Sequence, residues 1–193
     1  MLFKNITKTD LYRYYGRSDF WVFLKAFINV PGFRYTYYLR QCMRFKNSSF
    51  LGRVFYFINL LTLRHLRYKF GFEISERTKI GYGFYLGHFG GVVINERTVI
   101  GNNVSIAQGV TIGKTQRGEL AGTPIIGDRV WIGPHAVVVG GITIGSDVLL
   151  GPGAYVNFNV PDRSVVIGNP GKIVSQNGSD QYVTNLWIED KKV

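Results

Sequence analysis

The sequence predicts a mainly β protein, a parallel β-helix of hexapeptide repeats that follows an N-terminal α-helical region. Three observations predict it: aliphatic residues recur every six positions, a glycine follows most of them, and the first 72 residues show helical spacing instead. In such a solenoid each hexapeptide forms one short strand and a corner, and three of them complete one triangular coil. A chain of 193 residues, 46% hydrophobic and 18% charged, is expected to fold.

The six-residue period covers most of the second half of the chain. The repeated aliphatic positions are Ile74, Ile80, Leu86, Val92, Ile94, Ile100, Ile106, Ile112, Ile126, Ile132, Val138, Ile144, Leu150 and Val156. Stacked coils place such residues inside the prism, one above the other. The glycine that follows leaves room for a tight corner. We therefore assign residues 73–174 to the β-helix.

Two interruptions break the period. In "LGHFGGVVIN", residues 86–95, the repeat slips by two positions beside His88 and two glycines. In "GKTQRGELAGTP", residues 113–124, the repeat stops in a polar segment. Interruptions of a solenoid become loops on one face, so 113–124 is expected to project as an arm.

Residues 1–72 predict a helical region. Asp19 can cap a helix towards Asn29, Pro31-Gly32 breaks it, and a second helix fits 33–46. The third helix ends at Gly71 and carries one apolar stripe. Its members are Leu51, Val54, Phe55, Ile58, Leu61, His65 and Leu66. His65 completes that stripe and is interpreted as structural. Residues 175–193 form a tail without a functional signal.

The entire net charge of +11 lies in this helical region. Residues 1–72 hold thirteen Lys or Arg against Asp10 and Asp19, whereas residues 73–193 hold ten of each sign. The basic, aromatic segment has three interpretations, in this order: a helical domain that caps a trimer, a contact with an anionic membrane surface, and nucleic-acid binding. No nucleic-acid motif supports the third, so no nucleic-acid partner is expected.

The number of cysteines and the hydropathy of the chain indicate the cellular compartment of the protein. Cys42 is the only cysteine, so an intrachain disulfide is excluded and a reducing compartment fits. No signal peptide is recognised, and the apolar run 54–63 is half of the roughly 20 residues that a bilayer span needs. We expect a cytoplasmic protein, with the inner face of the membrane as the alternative site.

The repeat segment resembles a known enzyme family. "FEISERTKIGYGFYLGHFGGVVIN", "NVSIAQGVTIGK", "IIGDRVWIGPHAVVVGGITIGSDVLLGPGAYV" and "VIGNPGKIV" are similar to the left-handed parallel β-helix acyltransferases, in their serine-acetyltransferase-like branch. The resemblance covers roughly residues 70–174. It implies acetyl transfer from acetyl-CoA by a homotrimer, with an active site between neighbouring prisms. Association of two trimers through the N-terminal helices stays open.

The resemblance assigns catalysis to His88 and Glu73, which lie fifteen residues apart as in that branch. A hydroxyl is a poor nucleophile until a base takes its proton, and an imidazole suits that task near neutral pH. A carboxylate would orient the ring and stabilise the imidazolium. We expect direct attack on the thioester, without an acyl-enzyme. A backbone N–H near Gly90 or Gly91, or one from a neighbouring subunit, is expected to hold the oxyanion.

Further site residues follow from the same resemblance. The residues expected to contact acetyl-CoA are Gly113, Lys114, Thr115, Gly133, Pro134, Gly151, Pro152 and Lys172, the last on a CoA phosphate. Gly87, Gln108 and Thr123 are expected near the acceptor. His135 is interpreted as an exposed corner residue. No metal is expected.

Two departures affect the acceptor. Serine acetyltransferases carry Asp where this chain has Gly87, and His where it has Thr123. These losses count against L-serine, and the sequence resembles more the O-acetyltransferases of bacterial exopolysaccharide and capsule, such as those of colanic acid. The resemblance therefore implies acetylation of a sugar or polysaccharide hydroxyl.

Three other functions compete with this expectation. The first is serine O-acetyltransferase of cysteine biosynthesis. The second is a β-helix hydratase, which needs several His ligands around a metal, whereas the chain has three His in all. The third is a scaffold that keeps the fold without catalysis.

Overall fold

The computed structural model describes residues 3–188. Four helices precede fifteen short strands. The helices are α1 (Phe3–Tyr15), α2 (Phe20–Asn29), α3 (Pro31–Phe45) and α4 (Phe50–Phe70). The strands are β1 (Phe72–Ile74), β2 (Lys79–Ile80), β3 (Tyr85–Leu86), β4 (Val92–Ile94), β5 (Val99–Ile100), β6 (Ser105–Ile106), β7 (Thr111–Gly113), β8 (Ile125–Ile126), β9 (Trp131–Ile132), β10 (Val137–Val139), β11 (Thr143–Ile144), β12 (Leu149–Leu150), β13 (Tyr155–Val156), β14 (Val165–Ile167) and β15 (Lys172–Ser175).

The predicted left-handed parallel β-helix is confirmed, with about five coils and N-terminal helices. Up to β13, strands three apart in sequence pair in parallel, and β14 then pairs in parallel with β12. The strands form three faces, ordered β1-β4-β7-β10-β13, β11-β8-β5-β2 and β15-β14-β12-β9-β6-β3. We call these the first, second and third faces. The aliphatic positions of the period are buried inside the prism, except Ile80, which is half-buried. Each coil therefore extends the same apolar column.

The pairing register shows where the sequence departs from an 18-residue coil. Glu73 pairs with Val93, twenty residues on, because the slip adds two residues. Thr111 pairs with Val137, twenty-six residues on, because the arm adds eight. Val137 pairs with Tyr155 at the regular spacing of eighteen. After β14 the chain reverses and β15 pairs antiparallel, which ends the stack.

The helix boundaries follow local signals. Asp19 caps α2 by accepting a hydrogen bond from the Val22 N–H at 3.2 Å. Pro31 occupies the first turn of α3, where its missing N–H costs nothing. The sequence reading of Pro31-Gly32 only as a break therefore missed that it also starts a helix. Gly71 ends α4 in the left-handed conformation at φ 70°.

The apolar stripe of α4 faces outward. Leu51, Val54, Phe55, Ile58 and Leu61 are exposed, as is His65. The buried face consists instead of Gly52, Leu60, Leu63, Leu66 and Phe70, which pack against α3 and the first coil. Of the stripe, only Leu66 is buried. Across residues 3–188 no helix combines the length and hydropathy needed to cross a bilayer.

Side chains of α1 and α3 complete the hydrogen bonds of the first coil. The Asp10 carboxylate accepts the Phe84 N–H at 2.8 Å, and Arg40 donates to the carbonyls of Ile80 and Gly81 at 2.8 and 2.5 Å. Asp10 and Arg40 also form a bidentate ion pair at 2.8 and 3.1 Å, with both side chains at most 2% exposed. The helices thus close the open end of the solenoid.

The C-terminal segment returns along the third face. We call residues 178–187 the C-terminal strap. Ser179 donates its hydroxyl to the Arg129 carbonyl at 2.6 Å, and the Trp187 backbone exchanges two hydrogen bonds with the Asn103 side chain at 3.0 Å. Near its end, Trp187 packs edge-to-face on Tyr12 of α1 with ring centres 5.4 Å apart. The strap therefore links the coils to the helices.

Replacing Asp10 by Asn is expected to lower the free energy of unfolding by about 3–5 kcal/mol, because it leaves the Arg40 charge buried without its partner. Chemical denaturation followed by circular dichroism measures this. Asp180→Asn is the matched control, since Asp180 pairs with Arg163 on the surface at 3.5 Å and is expected to change stability by less than about 1 kcal/mol. Equal losses in both variants would contradict the capping role of Asp10.

Candidate active site

His88 lies at the corner that the two inserted residues create. It follows β3 on the third face and precedes β4 on the first face. The inserted turn needs glycine, since Gly90 and Gly91 have φ of 114° and 66°. The Gly90 N–H donates to the Phe70 carbonyl at 2.9 Å, which ties the corner to the end of α4. The slip thus turns His88 outward, away from the apolar column, and its side chain is exposed.

The His88 side chain lines a cavity of about 320 Å³ on the third face. Gly87, Gln108 and Pro134 line the same cavity, as do Trp131 and Tyr182, whose ring centres lie 4.9 Å apart. In residues 3–188 no hydrogen bond holds either ring nitrogen of His88. The imidazole is therefore available to exchange a proton with a molecule in the cavity.

Gln108 points an unpaired acceptor into this environment. Its Oε1 atom is buried and has no hydrogen-bond partner within the described residues. Buried polar atoms are almost always paired, and the exceptions concentrate at functional sites. A ligand hydroxyl or amide would satisfy it. The expectation that Gln108 lies near an acceptor has this geometric support.

Glu73 lies in a different recess. It is exposed on β1 of the first face, beside Arg67 and Val93. Across the described part of the chain, no hydrogen bond or ion pair joins Glu73 to His88. Arg67 pairs with Glu76 at 3.2 Å instead. The pairing of Glu73 with His88 stays a prediction.

The residues expected to contact acetyl-CoA divide between two faces. Pro134 lines the His88 cavity, while Gly151 and Pro152 line a second cavity of about 780 Å³ on the third face. Trp131 and Tyr182 line both cavities, which are therefore adjacent, and we call the two together the groove. Gly113 belongs instead to the recess beside Glu73 on the first face. Gly133 is buried at the corner after β9, where a Cβ would lie 2.8 Å from the Pro152 nitrogen.

Residues 113–124 form the predicted arm. Its ends are held by paired backbone hydrogen bonds between Thr115 and Gly122 at 2.9 and 3.0 Å. Thr123 donates its hydroxyl to the Arg97 carbonyl at 3.3 Å. Lys114 on the arm and Lys172 on β15 are exposed, and neither lines the groove. His135 is an exposed corner residue with φ 59°, packed over Gly109.

The sequence reading missed the residues that close the cavity from outside the coils. Arg13 of α1 lines it, together with Tyr182 and Thr184 of the C-terminal strap. The periodicity of the repeat carries no information about either segment. The sequence offered two signals: an arginine within a helical segment, and aromatic residues within a polar tail. Neither pattern indicates a ligand site.

Cys42 has no role in this site. The thiol is buried between α3 and the core, and burial raises its pKa to about 12. It is therefore protonated and a poor nucleophile. Within residues 3–188, no three His, Cys, Asp or Glu side chains come together as a ligand set for a metal ion.

Similar sequences share the coil region. Residues 123–157 match the family described as bacterial transferase hexapeptide (six repeats). The serine acetyltransferase of Helicobacter pylori is 42% identical over 96 residues, which cover 50% of this chain and 56% of that protein. The serine acetyltransferase of Bacillus subtilis is 43% identical over 91 residues, which cover 47% and 42%. The chain thus spans about half the length of the curated relatives it matches.

Solved structures extend the likeness beyond the coils. Neisseria gonorrhoeae serine acetyltransferase in complex with serine superposes with a TM-score of 0.73 at 31% identity, covering 90% of this chain and 69% of that one. The chain belongs to the serine acetyltransferase type of hexapeptide-repeat acetyltransferases. A second member of the family, the soybean apoenzyme, superposes with a TM-score of 0.72 at 30% identity over 89% of this chain and 69% of its own.

Family membership is thereby confirmed, but the finer likeness is not. The predicted closeness to exopolysaccharide and capsule O-acetyltransferases finds no support in these matches, which are named serine acetyltransferases. The acceptor is therefore decided neither by the fold nor by the family.

Gln108→Leu is expected to leave the free energy of unfolding unchanged or to raise it by about 1 kcal/mol, since it removes a buried acceptor that has no partner. Urea denaturation measures this. Ser179→Ala, which removes a buried hydroxyl bonded to the Arg129 carbonyl, is expected to lose about 1 kcal/mol instead. A larger loss in the Gln108 variant would show that Oε1 is paired within the protein.

Proposed function

We propose that this protein is an acetyl-CoA-dependent O-acetyltransferase with His88 as general base. The imidazole takes the proton of an acceptor hydroxyl as its oxygen attacks the thioester carbonyl. A new C–O bond forms, the C–S bond of the tetrahedral intermediate breaks, and the imidazolium returns its proton to the CoA thiolate. No acyl-enzyme is required.

The observation that carries this proposal is the position of His88. A two-residue slip places an exposed imidazole, free of internal hydrogen bonds, on a cavity in a groove along the third face. Trp131 and Tyr182 line both cavities of the groove, and two adjacent cavities suit a donor with an extended arm. Of the two expected oxyanion donors, Gly90 already bonds the Phe70 carbonyl, which favours Gly91.

L-serine is the acceptor that the relatives favour. The matched proteins are named serine acetyltransferases, and one was solved in complex with serine. A cavity of about 320 Å³ holds a small molecule of this size.

A sugar hydroxyl is the second candidate. Gly87 lines the His88 cavity and Thr123 ends the arm, at the two positions where the resemblance places an Asp and a His for an amino-acid acceptor. Without these charged groups the site lacks the expected partners for an amino acid. A neutral polyhydroxylated acceptor needs no such partners.

His88→Ala is expected to lose acetyl transfer by about 10²- to 10⁴-fold while keeping its melting temperature, because the acceptor loses its base and the exposed ring supports no packing. Release of free CoA thiol measures the rate. His65→Ala is the control, since His65 is exposed on α4 and is expected to retain full activity. Full activity of the His88 variant would reject His88 as the general base, whereas a wild type that transfers no acetyl group would favour a scaffold without catalysis.

The same assay decides the acceptor when L-serine is compared with hexoses and with the repeating unit of the host's surface polysaccharide. Turnover of L-serine would establish the serine acetyltransferase activity of the relatives. Turnover of sugars alone, with serine activity restored by Gly87→Asp and Thr123→His together, would establish the second candidate. A Cβ at Gly87 would lie 3.2 Å from the Tyr85 ring, so the change requires that ring to shift by a few tenths of an ångström.

We further propose a homotrimer in which the groove lies between neighbouring prisms. The expected acetyl-CoA contacts divide between the first and third faces, so one chain alone does not bring them together. Two chains would, if the first face and arm of one met the third face of the next. This arrangement would also bring a neighbour's side chains to His88.

We also propose that α2 and α4 contact an anionic membrane surface at the cytoplasmic face. The α4 stripe is exposed, and α2 exposes Phe20 and Trp21 at 69% and 74%. From residue 20 to residue 72 the chain has nine Lys or Arg and no Asp or Glu. Exposed apolar residues among cations fit a lipid interface with negative headgroups. Two copies meeting through these helices would face like charges without a carboxylate between them.

Vesicle sedimentation tests the membrane contact. The protein is expected to bind phosphatidylcholine vesicles that contain phosphatidylglycerol, to release them as salt rises, and to leave pure phosphatidylcholine unbound. Phe55→Glu with Ile58→Glu is expected to abolish binding. Ile173→Glu, at an exposed apolar residue of β15, is the control. Vesicle binding that the α4 double variant leaves unchanged would overturn the proposal. A smaller oligomeric mass of that variant than of wild type would show instead that α4 forms a protein interface.

A further inference from the structure

Arg13 places a buried positive charge in the His88 cavity. Its side chain is 3% exposed and lines the cavity from α1. Its Nε donates to the Thr184 carbonyl at 2.9 Å, Nη1 to the Gly83 carbonyl at 2.8 Å and Nη2 to the Ser105 hydroxyl at 2.8 Å. All three partners are neutral. No carboxylate in residues 3–188 pairs with this guanidinium.

The nearest carboxylate on the same helix, that of Asp10, is paired with another arginine. Asp10 lies one turn earlier on α1, but both of its carboxylate oxygens pair with Arg40. Arg13 therefore has no carboxylate partner of its own, and burial, the larger effect, lowers the pKa of its guanidinium to about 10. The charge of Asp10 and the Tyr85 ring, whose centre lies 5.8 Å from the guanidinium carbon, favour the cation. Buried charges are normally paired, and an unpaired one is costly to keep. At neutral pH the group remains a cation.

A guanidinium has five N–H donors, and the protein engages three of those of Arg13. Two N–H groups remain on a side chain that faces a cavity. A planar, doubly donating cation is the group that best recognises a carboxylate.

We propose that Arg13 is a specificity residue that binds a carboxylate on the acceptor, so that the preferred acceptor carries both a hydroxyl and an acid group. The inference rests on the proposed function, since it takes the occupant of the His88 cavity to be the acceptor. L-serine and a hexuronic acid both have this chemistry, whereas a neutral hexose lacks it. Arg13 would then act in place of the charged groups that Gly87 and Thr123 do not supply.

CoA phosphate is the other source of an anion. Its phosphates lie at the far end of the pantetheine arm from the thioester, whereas the acceptor hydroxyl must reach the same imidazole. The acceptor is therefore the molecule that places its charge beside His88. A donor without the nucleotide distinguishes the two sources.

The experiment compares matched acceptors in the full-length protein: L-serine with L-serinamide, and D-glucuronate with D-glucose. Wild type is expected to prefer the carboxylate member of at least one pair, and Arg13→Gln to lower kcat/KM for that member about tenfold to hundredfold, chiefly through KM. With the neutral member kcat/KM is expected to fall by a clearly smaller factor, since Arg13 also holds the C-terminal strap through the Thr184 carbonyl. Arg13→Lys, which keeps the charge, is expected to recover part of the preference.

Several outcomes overturn the assignment. Equal loss with both members of a pair would mean that Arg13 is only structural, and a wild type without preference for either acid excludes the site even where the variants fail to fold. An effect seen with acetyl-CoA but absent with S-acetylpantetheine would move the anion to the CoA phosphates.

Calorimetry separates this proposal from the proposed function. Binding of L-serine or D-glucuronate that is lost in Arg13→Gln, in a protein without acetyl transfer, would retain the anion site and reject the acetyltransferase. Acetyl transfer that depends on His88 but is insensitive to Arg13 would do the reverse.

Discussion

The structure depends on how the open end of the solenoid is closed. A first coil exposes a row of backbone donors and acceptors that would pair with another strand if left free. Here side chains take the place of the missing coil. Arg40 bonds Ile80 on the second face, Asp10 bonds Phe84 beside the third face, Tyr35 bonds Ile74 and Tyr14 bonds Leu86. This pairing fixes α1 and α3 against the coils, and so fixes everything that α1 carries.

The same attachment shapes the candidate active site. Because Asp10 and Tyr14 hold α1 to the first coil, Arg13 between them is directed at the cavity beside His88. The C-terminal strap closes the cavity from the other side and bonds the same arginine through the Thr184 carbonyl. The helical region, which lies outside the repeat, therefore supplies the positive charge of the cavity, whereas the repeat positions His88.

Departures from the regular coil position the candidate site and the arm. A coil of eighteen residues buries one aliphatic side chain per strand and presents similar corners throughout. Two extra residues at Gly90 and Gly91 turn His88 outward, and eight extra residues form the arm. Other backbone hydrogen bonds hold each interruption in place. At the first, the Gly90 N–H donates to the Phe70 carbonyl, and at the second, Thr115 and Gly122 pair with each other.

The sequence by itself determined the β-helix, its register breaks and the candidate imidazole, because hexapeptide stacking relates residues at fixed, local spacing. It did not determine which face of α4 is buried: the stripe of Leu51, Phe55 and Ile58 is as periodic as a core face, yet it lies outside. Nor did it place Arg13 and Tyr182 beside His88. Those choices were made by tertiary contacts between segments far apart in the chain, which periodicity cannot encode.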